Sequence, residues 1–498
     1  MGLRLPALGQ QLPAVDRRHP RAGRPDRRAE DQDPERQRAQ ALRVDVAVAQ
    51  DLRSFLEQVK SAKPDDVQVL KKEVDPAYEI TALVVKLERE LKRRPVLIFE
   101  NVKGTKFPVI TNLHASRARL AAAIGATPDG MLKRYREAME QPIPPRVVST
   151  GPVKEVILEG DQVDLYALPQ ILHHEGDAGA YLTSAISFAK DPTKEMWNCA
   201  YNRLMIQGRD TTSIHLTLGK HLWEYQRLAE ARDEPLPVAF AIGCHPAIAL
   251  GCLAIGSIDE DERAIMGGLF GEALELVKCE TSDVLVPAHA EMVIEAEILP
   301  KARTPEGPFG EFTGYSLGER DREVVKVKAI THRASALFQD ITVAHLDHML
   351  LSTIPMEANL YRAVRAMVPS VKAVRVPAPF TCYISIQQRI LGQANNAILA
   401  ALGADLYMKR IVVVDDDVDV FDDRQMTWAI ATRCQPDRDI TIISNARGSD
   451  LDPSSPSDGP SAKWGVDATA KPSLAGYTPR HRVPPDVWKR IDPKAFGL

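Results

Sequence analysis

The sequence predicts a mixed α/β protein of several domains, and three observations carry that expectation. The chain has 498 residues, several times what one core ordinarily serves at roughly 100–200 residues per domain. Short β-rich runs and runs with helical spacing alternate along it, so strands and helices are interleaved. Its texture also changes along the way, which divides it into 49–148, 149–335 and 361–498, with 336–360 as a linker and helix start.

Residues 1–48 stand apart. LGQQLPAVDRRHPRAGRPDRRAEDQDPERQRAQ is rich in Arg, Gln and Pro and has no hydrophobic period, so it reads as a disordered or mis-started extension. Asp26, Glu30, Asp31, Asp33 and Glu35 argue against a transit peptide, which is usually poor in acids. In 49–148, DLRSFLEQVKSA repeats Leu52, Phe55, Leu56 and Val59 at helical spacing behind an N-cap candidate, Asp51. VLIFENV and PVITNLH look like strands and SRARLAAAIG like a helix, which makes a small α/β unit. From 149 to 335, YLTSAISFAK, NRLMIQG, TSIHLTLG, PVAFAIG, AEMVIEAEIL and EVVKVKAITHR are β-rich and separated by turn residues, as in a barrel or sandwich. A helix at MEANLYRAVRAMVP follows a turn at STIPMEA. VKAVRVPA, TCYISIQQR, NNAILAALGA, KRIVVVDDD, QMTWAIATRC and DITIISNA then alternate strands with helices, as βαβ units do.

Composition excludes several classes. Apolar residues at 44 % and charged residues at 26 % are ordinary globular usage. With 63 basic and 67 acidic side chains the formal net charge is -4, so nothing draws the whole molecule to nucleic acid or an anionic membrane. No stretch approaches the roughly 18–20 apolar residues of a membrane span. Cys199, Cys244, Cys252, Cys279, Cys382 and Cys434 form no CxxC pair and read as reduced thiols, which favours the cytoplasm.

Four constellations bear chemistry. In RTPEGPFGEFTGY, Pro305, Gly307, Pro308, Gly310 and Gly314 exclude a helix or central strand, so the segment is expected to be a loop. Glu306 and Glu311 flank its turn with Phe309 between them, and carboxylates in unequal surroundings split their pKa values; the plain alternative is a solvated hairpin. WNCAYNRLMI sets Asn198 and Arg203 five residues apart, followed by His215, His221, Glu260 and Glu262. This mixed N/O set suits Mn2+ or Mg2+, although such residues are also ordinary in β-rich chains. Thr183 and Ser184 could bind a cofactor or simply belong to a strand. KRIVVVDDDVDVFD ends in Asp415, Asp416, Asp417 and Asp419, a ligand site or a set of helix caps. His345 and His348 in HLDHML are substrate contacts or polar residues at a helix start.

PEGPFGEFTGY, TSDVLVPAHAEMVIEAEIL, KRIVVVDDDVDVFD, TRCQPDRDI and SAKWGVDATA together resemble the UbiD family of reversible decarboxylases that use prenylated FMN, from about residue 49 to the C-terminus. The resemblance implies an N-terminal α/β domain, a central split β-barrel that binds the flavin, and a C-terminal α/β domain that mediates a homodimer or higher homo-oligomer. It implies a catalytic set of Arg203, Glu306 and Glu311. Metal ligands would be Asn198, His221 and Glu262, for Mn2+ or Mg2+ with K+. Cofactor contacts would be Thr183, Ser184, Asn198, Arg203, Lys220, His221, Glu262 and Lys409; Lys220 stands where the family usually has Gln. Phe309, His345 and His348 fall in the substrate region.

The implied activity is non-oxidative loss of CO2 from an aromatic, heteroaromatic or α,β-unsaturated acid through a covalent adduct with prenylated FMN, supplied by a UbiX-like flavin prenyltransferase. The C-terminal motifs lean toward aromatic and heteroaromatic acids. Such a reaction needs an electron sink, because no side chain delocalises an sp2 carbanion. Arg203 would hold the substrate carboxylate and, through Glu306, help set the cofactor's charge state, and Glu311, desolvated by Phe309, would deliver the proton. Two alternatives are a flavin-independent metal-dependent hydrolase or lyase and a non-catalytic subunit of a carboxylase complex.

Overall fold

The computed structural model describes residues 50–496 apart from 257–258, 456–459, 472–477, 479 and 482. The predicted extension 1–48 lies outside the described residues.

Asp51 caps the first helix, Leu52–Ala62, by accepting the Ser54 amide at 2.9 Å. Leu52, Phe55, Leu56 and Val59 are all buried, each contributing roughly 1.5–3 kcal/mol of apolar transfer. The helix packs by a sheet ordered Val67–Leu70, Val96–Phe99, Val109–Thr111 and Phe338–Gln339. The last of these strands returns from far along the chain and pairs in parallel with Val109–Thr111. The following residues, Asp340 and Ile341, therefore run between the N-terminal sheet and the central one.

Nine strands, all antiparallel, form the central sheet. Trp197–Tyr201 and Leu204–Ile206 lie toward opposite ends of its strand order, yet only Asn202 and Arg203 separate them in sequence. Three residue steps span at most about 11 Å, so the sheet must curl until its ends approach, which makes it a half-barrel. Arg203 sits at that crossing. Asn202 pins it: its Oδ1 accepts Ser187 Oγ at 2.8 Å and its Nδ2 donates to the His215 carbonyl at 3.2 Å. Met292–Glu306 and Arg320–His332 are the longest strands, paired from Met292 with His332 to Glu306 with Arg320. Register shifts at Glu295/Ala296 and Ile298/Arg303 let them bend with the barrel.

This ladder corrects the reading of RTPEGPFGEFTGY as loop throughout. Pro305 and Glu306 are strand residues opposite Asp321 and Arg320. Pro305 is tolerated because the other neighbour, Leu236–Ile242, pairs only as far as Ile298, leaving this end an edge. The turn proper begins at Gly307, whose φ of +92° suits glycine, and includes the short pair Phe309–Gly310 with Ser316–Leu317.

The C-terminal sheet has the order Val371–Ala378, Thr381–Ile386, Arg410–Asp415, Ser461–Asp467 and Ile440–Ala446, parallel through its centre. Gln393–Ala404 is the crossover helix between the first parallel pair. A second correction concerns STIPMEA. Instead of a turn it lies within one 22-residue helix, Leu346–Met367, with Pro355 inside. Burial of Leu351, Ile354, Pro355, Ala358 and Leu360 outweighs the lost backbone bond. Five cysteines are buried and none is bridged among the described residues. No helix among those residues is long and apolar enough to cross a membrane.

Candidate active site

Arg203, at the barrel crossing, reaches the end of the Met292–Glu306 strand. Its Nε and Nη2 donate to Glu306 Oε1 and Oε2 at 3.0 and 3.1 Å, a bidentate pair, and its Nη1 contacts Glu311 Oε1. One guanidinium thus joins the two acids of the turn. Phe309 lies beneath it, ring centroid 5.2 Å from the guanidinium carbon, and stacks on Tyr181 at 3.9 Å. Arg322 adds a second cation, Nε 3.7 Å from Glu306 Oε2. The acids differ in setting: Glu306 is 2 % exposed and enclosed by arginines, whereas Glu311 is 12 % exposed. Burial and the nearby Glu306 charge push the Tyr181 phenol up, so it stays protonated.

Beside the crossing lies a second cluster. Asn198 projects from Trp197–Tyr201, His221 opens helix His221–Glu230, and Glu262 opens helix Glu262–Phe270 behind its Asp261 cap. Asn198 Nδ2 is 3.0 Å from Glu262 Oε1 and 3.5 Å from His221 Nδ1, which is itself 3.6 Å from Glu262. Asn198 Oδ1 is buried with no hydrogen-bond partner among the described residues. A buried amide oxygen left unpaired is costly, and its own amide nitrogen faces an imidazole and a carboxylate, so that exchange of the two amide atoms would offer a divalent cation an oxygen, a ring nitrogen and a carboxylate. The residues fit a metal.

Glu311, Phe309 and Arg203 open onto a cavity of about 310 Å3. Its wall is mostly apolar, with Phe312, Phe380 and Tyr407 meeting edge to face at 5.4–5.9 Å. Thr183, His215 and His348 supply polar points on that wall. Burial, with the charges of Arg203, Arg322 and Arg320, pulls His215 down to about 3, and burial pulls His348 down to about 4. Both imidazoles are therefore neutral at pH 7, and among the lining residues Arg203 and Glu311 are the one guanidinium and the one carboxyl group.

The other sequence candidates are placed differently. Thr183 Oγ1 donates to Asp340 Oδ1 at 2.9 Å and accepts the Ile341 amide at 3.0 Å, and Ser184 Oγ donates to the Gln339 carbonyl at 2.6 Å. Both hydroxyls tie the barrel to the returning segment, and of the two only Thr183 lines the cavity. Lys409 Nζ binds Asp452 and Ser454, each at 2.6 Å. Lys220 is exposed at the start of its helix. His345 pairs with Glu88 at 2.8 Å and is absent from the cavity wall. In the acid run, Asp415 and Asp417 pair with Arg433 and Asp419 accepts the Phe421 amide, so turn and ion-pair roles account for those three. Sequence reasoning missed Phe380 and Tyr407. They come from the C-terminal domain, and no local pattern links them to a turn more than 60 residues upstream.

Comparison with known proteins is consistent across the chain. Family models for the N-terminal, Rift-related central and C-terminal domains of 3-octaprenyl-4-hydroxybenzoate carboxy-lyase match residues 60–139, 146–346 and 349–468. An anhydromevalonate phosphate decarboxylase of Methanothermobacter thermautotrophicus is 35 % identical over 423 residues, covering 84 % of this chain and 96 % of that protein. A phenolic acid decarboxylase of Sedimentibacter hydroxybenzoicus is 32 % identical over 446 residues, covering 85 % and 92 %. The structure of the UbiD-class enzyme HmfF from Pelotomaculum thermopropionicum in complex with FMN superposes with TM-score 0.83 and 41 % identity over 89 % of this chain and 99 % of that one. An evolved dimeric form of that enzyme in complex with prFMN gives TM-score 0.81 and 39 % identity, with coverage of 90 % and 100 %.

Proposed function

The chain belongs to the UbiD family and is a UbiD-class decarboxylase, and from that premise we propose that it releases CO2 from an aromatic, heteroaromatic or α,β-unsaturated acid with prenylated FMN as cofactor. The observation that carries this reading is Arg203, joined to both Glu306 and Glu311 at the edge of a largely apolar cavity. Bound there, the prenylated flavin supplies the electron sink that no side chain offers. Asn198, His221 and Glu262 would hold Mn2+ or Mg2+, whose charge would offset anionic groups of the cofactor.

Arg203 has five N–H donors, and three are engaged by the two acids. The remaining two take the substrate carboxylate and orient it. That carboxylate brings a third acid to Arg203, and like charges so close favour proton uptake by the cluster. Glu306 is held bidentate and shut away from the cavity, whereas Glu311 faces it. Glu311 therefore carries the proton to the carbon that CO2 leaves. The aromatic wall excludes water and favours a flat apolar ring, while neutral His215 and His348 offer hydrogen bonds to a ring substituent.

The test is co-expression with a flavin prenyltransferase, followed by absorbance and mass analysis of the bound flavin and CO2 release from a panel of aromatic and unsaturated acids. Turnover is expected only with the prenylated cofactor, and equal turnover with unmodified FMN refutes the proposal. The metal assignment has its own check: His221→Ala is expected to purify with less than one metal per chain and to retain less flavin, read by elemental analysis and absorbance. Full metal occupancy in that variant removes His221 from the site.

A further inference from the structure

We propose that Asp177 is a positioning residue for proton delivery, one that holds the turn bearing Glu311 by its backbone. The inference rests on the decarboxylase reading and adds a residue to it. Asp177 lies in the segment His173–Ala178, ahead of the strand Tyr181–Leu182. Its side chain is 1 % exposed, yet no Lys or Arg pairs with it among the described residues. The nearest ring nitrogen, His174 Nδ1, stands 3.8 Å away. Backbone amides satisfy the carboxylate instead. Oδ2 accepts from His173 and His174 at 3.2 and 2.9 Å, and Oδ1 accepts from Gly310 at 3.2 Å. Burying a carboxylate is costly unless it is hydrogen-bonded in this way. The bonds join two segments 133 residues apart, and one of them ends at the residue before Glu311.

Neighbouring contacts act in the same direction. The Ala178 amide donates to the Pro308 carbonyl at 2.9 Å, and Tyr181 stacks on Phe309. Pro308, Phe309 and Gly310 are thus each held by the segment 177–181. The fit is close at Gly310, where a Cβ would lie 2.8 Å from His174 Nδ1 and the ring would have to move to admit it. Beyond it the Glu311 amide bonds to the Tyr315 carbonyl at 2.9 Å, so the clamp sets where the Glu311 side chain leaves the backbone. Displacements of the order of 1 Å at a reacting group cost about 10²-fold in rate, which gives such a clamp a kinetic effect.

Asp177→Asn keeps the volume but turns one oxygen into a donor. If the remaining oxygen keeps the two histidine amides, the new amide faces the Gly310 N–H. In the holoenzyme, amide hydrogen exchange of the peptide carrying Gly310 is expected to speed up. The turnover number should fall by about 10–10²-fold with KM within about twofold, since Arg203 is untouched. Flavin absorbance per chain should be unchanged, and the solvent deuterium isotope effect on turnover should rise as protonation becomes limiting. Gly310→Ala, which crowds the His174 ring against the turn, is expected to give the same signature in weaker form. Unchanged exchange at Gly310 overturns the clamp. A turnover loss that follows flavin content or melting temperature, with the isotope effect unmoved, reduces Asp177 to a structural residue. Failure of the wild-type holoenzyme to decarboxylate any acid of the panel counts against the decarboxylase reading, and the exchange comparison still decides whether Asp177 holds the turn.

Discussion

Glu311→Gln is expected to lower decarboxylation by about 10²–10⁴-fold, the range for loss of a general acid, while flavin absorbance per chain stays at the wild-type level. The substitution keeps the shape and an oxygen for Arg203 Nη1 but removes the transferable proton. Asn198, His221 and Glu262 lie on other elements than this turn. Glu306→Gln is the informative contrast. That acid is enclosed by Arg203 and Arg322 and does not line the cavity, so its neutralisation leaves the two guanidinium groups with Glu311 as the remaining carboxyl of the cluster. The flavin spectrum should change with the rate in Glu306→Gln and not in Glu311→Gln. Turnover, spectra and deuterium incorporation into product from D2O check both variants. A near-normal rate with normal incorporation in Glu311→Gln would remove that residue from the mechanism.

Much of this arrangement was legible in the sequence, because the strongest signals are local. The spacing of Leu52, Phe55, Leu56 and Val59 leads directly to a helix, and Asp51 caps it. The two acids of EGPFGE announce themselves by the glycines and prolines around them, and the resemblance adds Arg203 as the residue that joins them. What could not be read is long-range. That Phe338–Gln339 returns to the N-terminal sheet, that Phe380 and Tyr407 close the cavity from another domain, and that Asp177 reaches Gly310 all depend on tertiary contacts with no sequence period. Pro305 and Pro355 misled for one reason. Proline's cost is set by whether its missing N–H would have had a partner and by how much apolar surface the element buries, and neither is a property of neighbouring residues.

Removing Arg203 should cost stability as well as rate, and the two losses can be separated. In Arg203→Leu, Glu306 is left 2 % exposed without its bidentate partner, a change of about 3–5 kcal/mol for a broken buried pair. Arg322 still stands 3.7 Å away, so the low end of that range is expected. Loss of the charge-assisted bonds to the substrate carboxylate, each about 1.5–3 kcal/mol, lowers kcat/KM by about 10²-fold or more. Adding Glu306→Gln to Arg203→Leu takes away the stranded charge, so the denaturation midpoint should recover most of the way to wild type. Activity should not recover, because the anchor for the carboxylate is still missing. Urea unfolding and kcat/KM on the single and double variants measure both terms. A double variant no more stable than Arg203→Leu would mean that Glu306 does not depend on Arg203 for its charge. The bidentate contact would then serve the reaction alone and not the fold.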